Sequence, residues 1–244
     1  MKLTILGENG PFAAAGGACS AYLVEAAGRR ILLDCGPGAL ARLEMVCLLA
    51  DVDLIVLSHL HYDHMSDMYS GAYNLQQQLA LNLINAPVKL MLPDAPSNAR
   101  AGLTGGAFEL ISLNAQAGTP FELGGVELEF MPVRHPVPAF AVRISAQGRT
   151  LVYSGDTNTC PGLVDFCRGA DMLLCDAGLT RAQWSENAPH LSAVHVGELA
   201  RDAGVGALLA THIHPRVSRA ELLDEVRAAY PDARLAEAWM SVEI

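Results

Sequence analysis

Four short apolar runs in this 244-residue chain each end on a residue that can bind a metal. LIVLS leads into His59, ELEFMPVR into His135, TLVYSG into Asp156 and GALLAT into His212. A strand fixes the backbone up to its last residue, and the loop leaving it can aim a side chain into a crevice. Core packing does not require such a pattern four times over. The fold must therefore bring several strand ends to one place.

The rest of the chain alternates in the same manner. Period-2 and continuous apolar runs predict strands at 2–6, 19–26, 30–34, 53–57, 88–92, 126–131, 140–145, 150–154, 171–175 and 206–211. Turn signals such as CGPG, ELGGVE and AQGRT separate them. Helices are predicted near 38–49, 66–84, 161–168, 192–203 and 218–230, with Ser192 and Ser218 as N-caps and Gly204 and Pro231 as stops. No internal repeat or interdomain linker interrupts residues 1–244, so a single domain is expected. A β-rich half, helices, and a second β/α half predict an α/β (α+β) arrangement of two packed sheets with helices outside.

Residues 58–67, SHLHYDHMSD, hold the densest chemistry. With 8 His in the chain, H-x-H-x-D-H at fixed offsets arises by composition in roughly five of ten thousand such chains. Zinc takes imidazole and carboxylate ligands, usually four, and a catalytic site keeps one position for water. His59 and His61 can send both rings the same way from an extended loop, while Asp63 and His64 need a turn. With His135, Asp156 and His212 there are seven candidate ligands, too many for one tetrahedral ion. They suit two ions bridged by a carboxylate, and Asp156 is the isolated acid able to bridge.

Composition narrows the partners. The net charge is -10, Lys occurs only at Lys2 and Lys89, and no Lys/Arg run appears. A chain gripping a long nucleic acid needs a basic patch, so a small, anionic substrate held by the metals is expected instead. No apolar stretch reaches the length of a membrane span and the N-terminus lacks a secretory pattern, which predicts a cytoplasmic protein with no membrane partner. The six cysteines have no C-x-x-C spacing and read as reduced, buried hydrophobes.

SHLHYDHMSD, the preceding LLDCG and the later His, Asp and His resemble the metallo-β-lactamase fold superfamily. HPVPAFAVRI, YSGDT, PHLS and LLATHI are most similar to its ribonuclease Z-like branch, which includes small stand-alone hydrolases. The resemblance runs from the first strand to about residue 215. It implies a four-layer αββα sandwich with the site at one edge. It also implies that His59, His61 and His135 hold one divalent metal, that Asp63, His64 and His212 hold the other, and that Asp156 bridges them. Zinc is the expected metal, with manganese or iron as alternatives, and a homodimer is implied as well.

Further roles rest on the same resemblance. Asp34, in ILLDCG, matches an aspartate that supports the histidine loop. His190 matches a histidine that protonates the leaving group, and Asp63 would both hold metal and orient the attacking water. Asp176 stands where the branch has glutamate to orient that histidine, with a shorter arm. His195 lies in step with Glu198 and Asp202 and is expected to face solvent, and His214 is a candidate substrate contact at the site mouth. MYSGAYNLQQQLALNLI could line a core, a pocket or an interface.

These features predict a metal-dependent hydrolase. A small phosphodiester such as a cyclic nucleotide is the leading substrate, and a lactone, ester or thioester is the alternative. The tRNA-gripping arm of ribonuclease Z enzymes is missing, because only residues 136–155 separate His135 from Asp156. Non-hydrolytic di-iron relatives carry Glu where His61 stands.

Overall fold

The computed structural model describes residues 1–244. The chain forms strands β1 (Lys2–Gly7), β2 (Ala21–Ala26), β3 (Arg29–Leu33), β4 (Leu54–Val56), β5 (Val88–Leu92), β6 (Phe108–Ser112) and β7 (Phe121–Leu123). These are followed by β8 (Val126–Pro132), β9 (Phe140–Ala146), β10 (Arg149–Tyr153), β11 (Met172–Asp176), β12 (Leu208–Thr211), β13 (Arg234–Leu235) and β14 (Ser241–Glu243). They build two seven-stranded sheets, β14-β1-β2-β3-β4-β5-β6 and β13-β12-β11-β10-β9-β8-β7. Helices α1 (Ala39–Leu43), α2 (Tyr62–Met65), α3 (Asp67–Ala80), α4 (Ser97–Ala101) and α5 (Leu113–Gln116) precede α6 (Leu163–Cys167), α7 (Ala193–Ala203) and α8 (Arg219–Arg227).

The layering follows from the two-residue period of a strand, which sends alternate side chains to opposite faces. On β3, Ile31 and Leu33 enter the core between the sheets while Leu32 packs under the outer helices. On the second sheet, Leu151 and Tyr153 of β10 and Leu174 of β11 join that central core, whereas Val152, Leu173 and Cys175 face α6, α7 and α8. Strands covered on both faces read as continuous apolar runs. Each such side chain contributes roughly 1.5–3 kcal/mol by leaving water. The architecture is the αββα sandwich expected from the sequence.

All the central strands were legible. The four that were not, β6, β7, β13 and β14, are the four sheet edges, where one side of the strand is unpaired and the side chains are half-exposed. Helix α7 starts at Ser192, whose hydroxyl accepts from the His195 N–H, and ends at Gly204 in a left-handed conformation (φ 63°), as predicted. The helix expected over 38–49 stops at Leu43, and Met45 is 75% exposed. In α3, Met68, Gly71, Ala72 and Leu75 form the buried stripe, so the core reading holds for them, while Tyr73, and Leu81 and Leu83 just past the helix, are exposed. No helix is long and apolar enough to cross a membrane. Four cysteines are buried and two half-buried, all as free thiols, and burial pushes Cys19 and Cys167 up to about 12.

Two tyrosines cross the central core in opposite directions. Tyr22 of β2 meets the Thr211 hydroxyl of β12 at 2.8 Å, and Tyr153 of β10 donates to Asp34, just past β3, at 2.7 Å. Their rings lie 5.1 Å apart. Strands β3 and β4 run parallel, as do β10, β11 and β12, so their carboxyl ends share one edge of the sandwich. Such an edge is where open α/β sheets place ligands.

Candidate metal centre

The loop after β4 delivers His59 and His61, and the single turn of α2 brings Asp63 and His64 round to the same edge. Loops leaving β8, β10 and β12 add His135, Asp156 and His212 from the other sheet. His212 leaves β12 in a left-handed conformation (φ 56°), as does Asp34 after β3 (φ 57°). Such geometry costs a non-glycine residue about 1–2 kcal/mol and turns each side chain inward.

All seven candidate ligands come together. His59 Nε2 lies 3.1 Å from His61 Nδ1, which lies 3.0 Å from His135 Nε2. For zinc–nitrogen bonds near 2.0–2.1 Å, tetrahedral ligand atoms stand about 3.3–3.4 Å apart, so this spacing suits one ion. Asp63, His64, Asp156 and His212 form a second group, with ligand atoms all within 4.8 Å of one another. The Asp156 Oδ2 atom stands between the groups, 3.7 Å from His59 Nε2 and 3.2 Å from both His64 Nε2 and His212 Nε2.

Hydrogen bonds fix which ring atoms face inward. The Nδ1 atom of His135 donates to the Pro189 carbonyl at 3.0 Å, and that of His64 points at Asp34 Oδ2 at 2.8 Å. The Ser58 hydroxyl donates to Asp34 and meets His59 Nδ1 at 3.1 Å. Each bond leaves Nε2 as the coordinating atom. Asp34 is the hub of this support: besides His64, Ser58 Oγ and Tyr153, it accepts from the Ser58 N–H at 2.7 Å. The structure thus puts Asp34 behind the ligands, in contact with the histidine loop.

Electrostatics argue for cations here. Burial lowers the pKa of His59, His61 and His135, and neighbouring imidazoles add to it, so all three are neutral, the form a metal binds. Burial opposes ionisation of Asp63 and Asp156. The nearby histidines outweigh it, holding both carboxyls below their usual range. His64 is buried too, yet Asp156 and Asp34 keep its cation favoured. Asp34, Asp63, Asp156 and Asp176 are all buried, and their ion-pair partners are histidines, without a Lys or Arg. Buried charges need pairing or metal, and two divalent cations match four carboxylates. Two buried atoms of the site, His64 Nε2 and Asp156 Oδ1, have no hydrogen-bond partner, as expected of a donor set built around ions. The residues fit the metals.

Asp176 reaches His190 despite its shorter arm: its Oδ2 lies 2.9 Å from His190 Nδ1, and its Oδ1 accepts from the Gly178 N–H at 2.8 Å. Burial disfavours the His190 cation, but Asp176 and then Asp156 outweigh it, and the imidazole is pushed up to about 9. Its ring stacks on His212 at 4.8 Å. His195 departs from expectation. It is half-buried, its ring 4.2 Å from Trp184, because the segment before α7 folds over that face of the helix. His214 lies outside all the ligand groups, edge-on to Phe12 at 5.2 Å.

Sequence reasoning missed Gly10, Ser58, Tyr153 and Asn158. A Cβ on Gly10 would fall 1.9 Å from His212 Nε2, so only glycine lets the β1–β2 loop cover that ring. The glycine-rich GENGPFAAAGG was the available signal.

Residues 29–213 match the Beta-lactamase superfamily domain. The chain belongs to the metallo-β-lactamase fold superfamily. It is 30% identical over 213 residues to the probable metallo-hydrolase YhfI of Bacillus subtilis, covering 87% of each chain. The crystal structure of that metallo-beta-lactamase fold protein superposes with a TM-score of 0.91 at 27% identity, covering 99% of both chains. A ribonuclease Z of Bradyrhizobium diazoefficiens is 28% identical over 293 aligned positions, covering 96% of each. The protein is a metallo-hydrolase of this superfamily, with His/Asp clusters compatible with a divalent metal site.

Proposed function

We propose that the protein is a dinuclear metal-dependent phosphodiesterase acting on a small anionic diester such as a cyclic nucleotide. The observation that carries this reading is the His190–Asp176 pair beside the ligand cluster. In this reading His59, His61 and His135 hold one ion, Asp63, His64 and His212 the other, and Asp156 both. The imidazole-rich donors suit zinc, and manganese or iron is the alternative. When bound, two divalent cations lower the pKa of a water and neutralise charge on the phosphate it attacks.

The remaining work falls to the chain. Asp63, ionised below its usual range, can accept a hydrogen bond from the attacking water and orient it. Asp176 engages Nδ1 of His190, leaving Nε2 to hand a proton to the departing alkoxide. Asp34, Ser58 and Pro189 hold the ligand rings in place, so little reorganisation accompanies the reaction. Two features favour a small substrate over a long nucleic acid. The net charge is -10, and residues 136–155 contain only β9, β10 and their connections, with no room for an arm.

Hydrolysis of bis-p-nitrophenyl phosphate and of 2′,3′- and 3′,5′-cyclic nucleotides by zinc- and manganese-loaded protein tests this, with His59→Ala and Asp156→Ala as controls. Diester turnover abolished by both substitutions supports the proposal. Lactone or thioester cleavage without diester turnover overturns it and moves the site to acyl chemistry.

A further inference from the structure

Between β11 and α7 the chain crosses the site as a strap. Arg181, Ala182, Gln183, Ser185, Glu186 and Asn187 are exposed, so little apolar burial holds it down. Yet its last residues supply the carbonyl of Pro189 to His135 and carry His190. Something polar must fix it.

On the exposed side Arg134 donates to the Glu186 carbonyl, and the buried contact is Asn158, fully buried two residues beyond Asp156. Its Nδ2 donates to the carbonyls of Ala188 at 2.7 Å and of Ser185 and Glu186, both at 3.2 Å. Its Oδ1 accepts from Trp184 Nε1 at 3.0 Å and from the Thr159 N–H at 2.7 Å. Its own N–H donates to the Arg134 carbonyl, next to His135, at 2.9 Å. Three carbonyls require donors and an indole requires an acceptor, and among short side chains only an amide offers two donor hydrogens together with an acceptor. Trp184 in turn packs on His195, which contacts the N-cap Ser192 at 2.8 Å. Asn158 thus ties together the loop after β8, the loop after β10 and the strap.

We infer that Asn158 is a positioning residue that, through the strap, sets His190 against the ligand cluster. The inference takes the role of His190 as proton donor from the proposed function. It assigns that role a further determinant, one that touches neither metal nor substrate.

Asn158→Asp keeps shape and the Oδ1 acceptor but turns a carboxylate oxygen toward three carbonyl oxygens. Trp184→Phe is the milder companion, removing only the indole donor. Amide exchange over 184–190 and the His190 imidazole resonances are read in both variants, and Trp184 emission in Asn158→Asp on a Trp239→Phe background, all in the metal-free protein. Turnover is read in the loaded protein. Loosening should accelerate exchange and shift the His190 resonances in both variants and expose Trp184 in Asn158→Asp. That variant also loses stability, because a carboxylate oxygen is buried against carbonyls, whereas Trp184→Phe should retain melting temperature, metal content and KM. A nitrophenolate departs without a proton, whereas a ribose alkoxide needs one. Cyclic-nucleotide kcat should therefore fall about 10²-fold, and bis-p-nitrophenyl phosphate turnover much less.

Wild-type exchange and unmoved His190 resonances would overturn the inference. So would an equal loss on both diesters accompanied by loss of metal, since that is the mark of a residue needed only for folding. If the unaltered protein cleaves neither diester, the proposed function fails alone, and the metal-free readouts still decide whether Asn158 places His190.

Discussion

Replacing Asp176 by Asn tests the electrostatic reasoning at the site most directly. Asp176 and His190 meet at 2.9 Å with side chains only 1% and 16% exposed, so solvent screens the pair weakly. An imidazole held at about 9 instead of 6.5 favours its cation by about 3 kcal/mol. The raised pKa fixes the sign of the pH dependence. In the metal-free protein the stabilisation is fully present below about 6.5 and is lost as pH rises through about 9. In Asp176→Asn the carboxylate is gone and burial remains, so the pKa of His190 should fall to its ordinary value or below. Histidine NMR titration of the metal-free protein reads this directly. Urea unfolding at pH 6 should show the variant up to about 3 kcal/mol less stable from this pair, and at pH 10 that part should vanish. Hydrogen bonds from Thr157 and Gly178 to Asp176 are also disturbed, but their contribution does not change with pH in this range. A His190 that still titrates near 9 in the variant, or a stability loss equal at both pH values, would refute the assignment.

Three other outcomes follow from the same geometry. A chelator that removes bound metal should leave Asp34, Asp63, Asp156 and Asp176 buried with only histidines opposite them. At a thousandfold excess of metal over Kd the loaded protein gains about 4 kcal/mol, which calorimetry should register as a rise of roughly 10 °C. Asp34→Asn confronts four donors, from Ser58 N–H, Ser58 Oγ, His64 and Tyr153, with an amide that must itself donate. About 3–5 kcal/mol of stability and 10–100-fold in metal affinity should be lost, measured by denaturation and by competition with a chromophoric chelator. Gly10→Ala forces a methyl against His212 at 1.9 Å and should cost about 1–3 kcal/mol together with metal stoichiometry, measured by elemental analysis.

What could be read in advance was whatever lies close together along the chain or is buried on both faces. His59, His61, Asp63 and His64 share one short motif, and each distant ligand closes an apolar run, so pattern alone exposed them. The fold followed from strands such as ILL and LLC, covered by helices on one side and the other sheet on the other. Edge strands such as FELIS lacked that signature because half their surface meets water. Apart from Asp34, which ILLDCG marked, the supporting residues were silent for a different reason. Tyr153 and Asp34 are 119 positions apart, and Asn158 acts on carbonyls 27 to 30 residues away, so nothing local marks Tyr153 or Asn158. His195 was misjudged for the same cause: its cover, Trp184, comes from outside its helix.

The crossed tyrosines carry a mechanical consequence. Each proposed ion takes ligands from both sheets, His59 and His61 with His135, and Asp63 and His64 with His212. Tyr22 ends on Thr211, immediately before His212, and Tyr153 is three residues ahead of Asp156. Any sliding of one sheet over the other would strain both hydroxyl contacts together with the ligand spacing. The gauge of the site is therefore cut into the framework, and the exposed part of the strap is free to be rewritten. Grafting different residues onto the exposed positions of 181–187 should change which molecule is accepted while leaving the spacing of the two ions where the sheets put it.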